Sequence, residues 1–415
     1  MGDAAPGDAL RLSGRPADHP RDSRNPRPLP GRNRSLPRCH SRTDRLFGAG
    51  RRRRARRAAG QRRAGIGSTG RSDHSPVVFS GETPMRLLIN LPPTFFTHPH
   101  LMPYFDRIRA LASETRTTSH NTTEELMRDL PWAEAVLMWA WPAFGEVEIG
   151  QCPDLKFVGQ INTTQQHVRT CLAKGIAISE VRHAWSPAVA ELALTLILSG
   201  LRQTSAYHIA MRQGTEKWIL EFPADINPLE RQLSGRAVGI VGFGGIGQRL
   251  AQLLAPFQVT LRAYDPYLPA AVAAKFNAQL TDLPTLLSES EVVVLCAANQ
   301  AEARHLLGAP EIESLRPHAV LVNVGRSMLI DMDALTNRLQ RGDLIAMLDV
   351  FDQEPLPPDS PLRSLPNAYL TPHVAGGILE SLERALTMLA DDLQAFQTGQ
   401  PRRYAVTEAM LKSFP

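Results

Sequence analysis

The chain has 415 residues and a formal charge of +5, from 46 Lys and Arg against 41 Asp and Glu. Residues 1–84 carry 19 Arg, no Lys and 7 acidic residues, a net charge of +12, whereas the other 331 residues carry −7. No apolar run reaches the ~18–20 residues of a membrane span, and no secretory signal is evident. The four cysteines are widely spaced, which indicates neither a disulfide framework nor a zinc site and favours the reducing cytoplasm.

Residues 1–84 lack the composition of a packed domain. Only 10 of them are Leu, Ile, Val or Phe, and nine Pro and eleven Gly interrupt any periodicity, so we expect a disordered tail. The Arg run at 51–57 raises the possibility of nucleic-acid binding, but no aromatic side chains accompany it, which disfavours that partner. Arg without Lys is typical of translated GC-rich upstream sequence. We therefore expect a mis-assigned start, with Met85 beginning the functional protein.

From Met85, short apolar runs alternate with helical patterns, which predicts parallel α/β sheets. The first series has predicted strands at 87–91, 135–139, 157–161 and 176–179. Helices are predicted between them, for example at 104–114 and 123–129. Together these elements predict one small α/β unit.

A long apolar helix is predicted to follow this unit. Ser186 and Pro187 indicate its start, with Ser as the cap and Pro in the first turn. Residues 188–201 are apolar on nearly every side of the helix. We therefore expect this helix to be buried between domains or between subunits.

A second α/β series begins at Arg236. Its six predicted strands are 237–241, 260–264, 292–296, 320–324, 345–349 and 369–371. Its predicted helices include 246–255, 281–288 and 332–340. This alternation is typical of a doubly wound sheet. An amphipathic helix at 380–397 leads to the C-terminus.

Three glycines form a GxGxxG motif between the first strand and helix of this second series. Gly242 permits the tight turn, Gly244 lets the backbone approach a pyrophosphate, and Gly247 allows the helix to pack on the strand. The helix N-terminus adds free N–H groups and a positive dipole end. Asp265, 18 residues past Gly247, ends the next strand. Its carboxylate would accept hydrogen bonds from the adenosine ribose and repel a 2′-phosphate, which favours NAD over NADP.

Three polar side chains follow later strands of the same series, where doubly wound sheets bind ligands. His373 is suited to donate a proton near neutral pH. Glu354 would fix the tautomer of a neighbouring imidazole. Arg326 offers a planar fork to a substrate carboxylate. Each residue taken alone also fits an ordinary surface or loop position, so spacing by itself does not assign these roles.

The segments around these residues resemble the D-isomer-specific 2-hydroxyacid dehydrogenases, the family of phosphoglycerate dehydrogenase, glyoxylate/hydroxypyruvate reductase and formate dehydrogenase. The resemblance extends from about Met85 to the C-terminus and is strongest at 242–247, 323–331 and 348–376. It implies an NAD-dependent oxidoreductase that interconverts a D-2-hydroxy acid and its 2-oxo acid by hydride transfer. It implies no metal.

The resemblance also implies roles for individual residues. Arg326 would orient the substrate, Glu354 would support the histidine, and His373 would exchange a proton with the substrate oxygen. Asp349 would hold the nicotinamide carboxamide. The other implied cofactor contacts come from backbone groups of Gly245, Ile246 and Val324.

The family architecture implies a flavodoxin-like catalytic domain split between residues 85–181 and 378–415. A Rossmann NAD-binding domain, residues 182–377, would be inserted between the two halves. Family members usually dimerise through the cofactor domain, so we expect a homodimer, which would explain the apolar helix at 188–201. The expected partner is a small 2-oxo or 2-hydroxy acid, with no membrane and no nucleic acid.

The sequence departs from the family at two places. Ser327 follows the substrate Arg where the family usually has Gly, and residues 161–166 replace a Gly-rich loop. The amides of Thr163 and Thr164 remain candidates for the substrate carboxylate, although without Gly their reachable dihedral angles narrow.

The predicted substrate pocket carries aromatic side chains. Trp139 and Trp141 follow a strand of the first series, with no Lys or Arg beside them. A phosphate pocket needs cations, so this loop favours a substrate with an apolar or aromatic side chain, although packing of both rings into the core is equally consistent. An NAD(H)-sensing corepressor of the same fold is the alternative function. Corepressors of this fold keep a similar triad, so the complete set of Arg326, Glu354 and His373 favours the enzyme without excluding the corepressor.

Overall fold

A computed structural model describes residues 85–298 and 301–413, which contain two parallel β-sheets with helices on their faces. The first sheet has the order β2-β1-β3-β4-β5, which is the flavodoxin-like order. Its strands are β1 (Met85–Asn90), β2 (Ala112–Thr118), β3 (Ala135–Met138), β4 (Phe157–Gln160) and β5 (Ala177–Glu180).

The second sheet has the order β12-β11-β10-β9-β6-β7-β8 and is parallel throughout. The order reverses between β6 and β9, so the crevice where such sheets bind ligands opens there. Its strands are β6 (Ala237–Val241), β7 (Thr260–Tyr264), β8 (Ala278–Leu280), β9 (Val292–Leu295), β10 (Ala319–Asn323), β11 (Leu344–Leu348) and β12 (Ala368–Leu370).

The helices connect consecutive strands, as parallel pairing requires. Those of the first sheet are α1 (Pro93–Thr97), α2 (Met102–Ala110), α3 (Thr123–Leu126), α4 (Glu146–Gly150) and α5 (Gln165–Ala173). Two helices, α6 (Ser186–Arg202) and α7 (Thr204–Gln213), follow β5. The rest are α8 (Gly245–Leu254), α9 (Ala270–Ala274), α10 (Leu283–Glu289), α11 (Ala309–Ser314), α12 (Met332–Gln340) and α13 (Leu379–Gln397).

The prediction of two doubly wound parallel α/β sheets is confirmed, with two corrections at the sheet edges. The second sheet has seven strands rather than six, because β8 adds a three-residue edge strand. The helix predicted at 104–114 was too long, since α2 ends at Ala110 and β2 begins at Ala112. Edge strands this short or this polar carry little apolar pattern. The predicted tail, 1–84, lies outside the described residues, and the domain boundaries at 181/182 and 377/378 stay predictions.

The apolar helix α6 begins differently from the prediction. Ser186 is its first residue and makes no capping bond, and Trp185 occupies the cap position. A 3₁₀ turn precedes it, so Arg182–Arg202 forms 21 helical residues, long and apolar enough by length and composition to cross a membrane. That result corrects the expectation of no such run. However, 56% of the 18-residue stretch that meets this test is buried. Helix α6 packs against α8, β10 and β11, and buried core helices pass the same test.

The end of the chain returns to the first sheet. Helix α13 packs on α2, β4 and β5, and its buried Asp392 accepts a hydrogen bond from Ser179 Oγ (2.7 Å). The same carboxylate accepts the backbone N–H groups of Arg403 and Tyr404. Residues 402–406 then run antiparallel to the edge strand β5, with a bridge between Ser179 and Ala405. The C-terminal segment thus covers an edge that would otherwise expose unpaired backbone groups.

Glu180, the last residue of β5, is buried and accepts a hydrogen bond from the Arg182 backbone N–H. Burial raises its pKa to about 7, although Arg182 opposes the shift. Between pH 4.5 and 7 the native state therefore holds a proton that the unfolded state releases, and stability falls as pH rises. We expect Glu180→Gln to gain stability over the parent across this range, reaching about 3 kcal/mol above pH 7, measured by urea denaturation.

Glu134 provides the control of opposite sign. The hydrogen bond from Lys156, followed by that from the Arg86 backbone N–H, lowers its pKa. Its ionised form therefore stabilises the native state above the ordinary pKa, and that stability is lost as pH falls. Glu134→Gln should be destabilised near neutral pH and match the parent in acid. A Glu180→Gln variant whose relative stability does not change with pH would contradict the assignment.

Candidate active site

The predicted acid–base pair is assembled in the structure. His373 Nδ1 lies 2.6 Å from Glu354 Oε2, and the other carboxylate oxygen accepts the Phe351 N–H (3.0 Å). Burial raises the pKa of Glu354, but the hydrogen bonds from His373 and Phe351 outweigh it, so the net shift is downward. An ionised Glu354 keeps a proton on Nδ1 and leaves Nε2 as the atom available to a substrate.

The loop that carries His373 is held by Asp349, which is fully buried at the end of β11. Its carboxylate accepts the backbone N–H groups of Val374 (3.0 Å) and Ala375 (2.9 Å) and the hydroxyl of Thr371. His373 itself has a left-handed backbone, with φ of 52°. Such a conformation costs about 1–3 kcal/mol outside glycine and persists only where surrounding contacts hold it. The nicotinamide contact implied for Asp349 stays a prediction.

Arg326 is presented on a loop that its neighbour Asn323 clamps. The buried Asn323 side chain donates to the Arg326 carbonyl (3.0 Å) and accepts the Gly325 N–H (3.0 Å). Arg326 is exposed and close enough to Glu354 to lower the pKa of that carboxyl. Ser327, the departure from the family, begins a 3₁₀ turn, so its backbone does not require glycine.

The glycine turn has the geometry of a cradle. Gly242 has a φ of +87°, and a Cβ on it would lie 2.5 Å from the Ala297 backbone. A Cβ on Gly247 would lie 2.5 Å from the Gly242 carbonyl, so α8 packs on β6 only with glycine there. Around Gly244, by contrast, nothing lies within 4 Å of a Cβ. This space beside the first turn of α8 fits a pyrophosphate.

The other predicted cofactor residues lie along the same crevice. Asp265 accepts the Phe243 N–H (2.9 Å) and the Tyr267 N–H (3.0 Å), which fixes its carboxylate beside the glycine turn. Ile246 and Gly245 are in the first turn of α8. Val324 is buried, and its N–H donates to Leu295. The ribose, pyrophosphate and cofactor contacts predicted for these residues stay predictions.

The threonines predicted to bind the substrate carboxylate sit after β4. Thr164 has an extended backbone and caps α5 by accepting the His167 N–H, a conformation that needs no glycine. Thr163 is buried, and its hydroxyl makes no hydrogen bond. The contacts that the structure describes do not join either threonine to His373 or Glu354.

The two predicted tryptophans line a pocket at the carboxyl ends of β1, β2 and β3. Their ring centroids are 5.1 Å apart, and Asn90 and His120 lie on the polar side of the pocket. It is a small pocket that is partly open to solvent. Trp141 is 44% exposed, so packing into the core does not account for this ring.

Trp185, which the sequence analysis did not single out, connects this pocket to the loop of His373. Its ring lies 6.0 Å from Trp139, and a Cβ on Gly376 would come within 2.5 Å of it. Asn323 was missed likewise. Neither carries a local sequence signal, because their partners are set by tertiary contacts.

The comparisons with known proteins agree with this geometry. Residues 194–375 match the family described as D-isomer specific 2-hydroxyacid dehydrogenase, NAD binding domain. A glyoxylate reductase of Thermofilum pendens is 30% identical over 70% of this chain and 86% of its own length. A D-3-phosphoglycerate dehydrogenase of Archaeoglobus fulgidus is 26% identical over 72% of this chain, but the match spans only 56% of that protein.

Solved structures share the fold. A phosphoglycerate oxidoreductase from Rhizobium etli superposes with a TM-score of 0.67 at 25% identity, over 77% of this chain and 98% of its own. The TT0316 protein from Thermus thermophilus gives a TM-score of 0.59 at 27% identity, over 78% and 100%. Both coverages extend beyond the span of the NAD-binding domain.

The empty space around Gly244 yields a prediction. Gly244→Ala should fold normally, because its φ of −73° suits alanine and no protein atom is near. Its methyl group would occupy the space left for the pyrophosphate, so we expect NADH affinity to fall at least about tenfold. Fluorescence titration with NADH and thermal melting measure the two effects. Gly242→Ala is the matched control, which should lower the melting temperature. Unchanged NADH affinity in Gly244→Ala would contradict the assignment of the space at Gly244 to the pyrophosphate.

The fold, the glycine turn and the similarities point the same way. The seven-stranded sheet carries the glycine turn at its switch point, with open space beside Gly244 that fits a pyrophosphate, within the residues that match an NAD-binding domain. The relative from Thermofilum pendens is matched over most of its length. The chain therefore belongs to the D-isomer-specific 2-hydroxyacid dehydrogenase family, and its cofactor is NAD.

Proposed function

We propose that this protein is a D-2-hydroxyacid dehydrogenase that interconverts a 2-oxo acid and the corresponding D-2-hydroxy acid. The observation that carries the proposal is the hydrogen bond of 2.6 Å between His373 and Glu354, at the same sheet edge as the glycine turn. The ionised Glu354 fixes the tautomer of His373, and the contacts around the loop hold its left-handed backbone, as a group that exchanges protons with a substrate requires.

The proposed mechanism divides the chemistry among three side chains. When bound, NADH supplies the hydride for the carbonyl carbon. Arg326 binds the substrate carboxylate through its planar guanidinium and places the carbonyl beside His373. His373 gives the proton on Nε2 to the carbonyl oxygen, and the ionised Glu354 stabilises the charged imidazole before that transfer. In the oxidative direction the neutral imidazole accepts the hydroxyl proton.

The pocket beside Trp139 and Trp141 supports a substrate with an uncharged side chain. The described residues that line the pocket include no Lys or Arg. A phosphate group would require such cations. The indole rings present apolar faces, and Asn90 and His120 add polar groups at one side. We therefore favour apolar or short polar substituents over 3-phosphoglycerate.

Exposed apolar side chains support the proposed homodimer. Helix α7 has no buried residue, and the segment that follows exposes Trp218 by 64%, Leu220 by 85% and Phe222 by 81%. A stretch of this kind is rare on the surface of a monomer. A second copy of the chain is the occupant that the family resemblance implies.

A panel of 2-oxo acids tests the proposed reaction directly. With glyoxylate, hydroxypyruvate, 2-oxobutyrate, phenylpyruvate and 3-phosphohydroxypyruvate, NADH oxidation followed at 340 nm should be measurable for at least one unphosphorylated acid. We expect the phosphorylated acid to be the poorest substrate. Tight NADH binding without turnover of any acid would contradict the proposed dehydrogenase activity and favour an NAD(H)-sensing protein.

The acid–base pair is tested by substitution. His373→Ala should lower kcat by about 10²–10⁴-fold, because it removes the proton donor, and should leave NADH affinity unchanged. Glu354→Gln keeps a hydrogen-bond partner for Nδ1 but removes the charge, so a smaller loss of kcat is expected. Asp352→Ala, on the same loop, serves as the control. Full turnover by His373→Ala is the result that excludes this mechanism.

A further inference from the structure

The segment between β5 and α6 places a histidine against the cofactor turn. A Cβ built on Gly245 would lie 2.3 Å from Nδ1 of His183 and 3.0 Å from its Cε1. The hydroxyl of Ser186 would lie 2.7 Å away. The imidazole thus occupies the space that a side chain at position 245 would fill, although the two residues are 62 positions apart in the chain.

Position 245 requires glycine because a side chain there would collide with His183, and not because the backbone conformation demands glycine. It is the first residue of α8, and its φ is outside the left-handed range that favours glycine. Within the GxGxxG motif this position can be any residue, and glycine in a helix costs up to about 1 kcal/mol relative to alanine. At this position the three heavy atoms nearest to a Cβ belong to His183 and Ser186.

The two adjacent glycines face different surroundings. A Cβ on Gly244 would meet nothing within 4 Å, whereas the space beside Gly245 is filled by the imidazole. Consecutive Cα atoms are about 3.8 Å apart. A diphosphate that extended from the space at Gly244 along the first turn of α8 would approach the side of Gly245 on which the His183 ring lies.

We propose that His183 is a cofactor-binding residue, whose imidazole donates a hydrogen bond to the diphosphate of NAD(H) at the first turn of α8. Part of His183 is accessible to solvent, and desolvation of the ring by the surrounding protein, followed by the charge of Arg182, lowers its pKa. A neutral imidazole still carries one N–H donor. The proposal rests on NAD binding and not on the substrate reaction, so it stands or falls independently of the proposed dehydrogenase activity.

Two substitutions separate binding from packing. His183→Phe keeps a ring of similar size against Gly245 but has no donor, and His183→Gln keeps a donor. NADH affinity, from fluorescence titration, should fall about tenfold in His183→Phe and much less in His183→Gln, with melting temperatures near that of the parent. Parent-like NADH affinity in His183→Phe would overturn the proposal.

The site of contact is tested with fragments of the cofactor. ADP carries the diphosphate and adenosine does not, so calorimetric titration of His183→Phe should show weakened ADP binding and unchanged adenosine binding. If His183→Phe weakens ADP and adenosine binding equally, or weakens neither, the diphosphate contact is excluded. These measurements do not involve a 2-oxo acid, so a failure here is distinct from a failure of the proposed reaction.

The packing itself is tested by a double-mutant cycle. Gly245→Ala should lower the melting temperature in the parent, because the new methyl group collides with the imidazole. In a His183→Ala background the same substitution should cost less, because the imidazole is gone and the Ser186 hydroxyl is the close neighbour that remains. Equal costs in the two backgrounds would show that the imidazole does not occupy this position, and the proposal would be lost.

Discussion

The buried carboxylate of Asp349 is the group around which the sheet edge that carries His373 is organised. A fully buried anion costs several kcal/mol unless hydrogen bonds satisfy it, and here two backbone N–H groups and the Thr371 hydroxyl do so. These donors all belong to the loop after β12. The requirement to satisfy Asp349 therefore determines the path of that loop, and the path determines where His373 meets Glu354.

Much of this architecture could be predicted from the sequence, and the exceptions have physical causes. Buried central strands such as β6 and β7 read as apolar runs, so their predicted bounds match the observed ones. The edge strand β2, with the sequence ASETRTT, is mostly exposed or half-buried and has no such run. For His373 and Glu354 the residues themselves left their roles open. The resemblance assigned those roles, and the structure now supplies the contact between the two side chains.

Contacts between distant segments were beyond sequence reasoning altogether. Trp185 packs against hydrophobic clusters of both sheets, and its neighbour His183 lies against Gly245. Nothing near residues 182–186 in the chain indicates these partners, because they are determined by how the polypeptide passes from the first sheet to the second. The short connection thus links the pocket of Trp139 and Trp141, the loop of His373 and the cofactor turn.

The return of the chain to its first sheet has a consequence for biosynthesis. The core of that sheet includes Leu386, Leu389 and Leu393 of α13, and its edge is covered by residues 402–406. The second sheet needs only the continuous stretch from α6 to β12, so it can fold as soon as that stretch leaves the ribosome. The first sheet must wait for contacts more than 200 residues away in sequence, such as that between Ser179 and Asp392. The half of the protein that is translated first is therefore the half that is completed last.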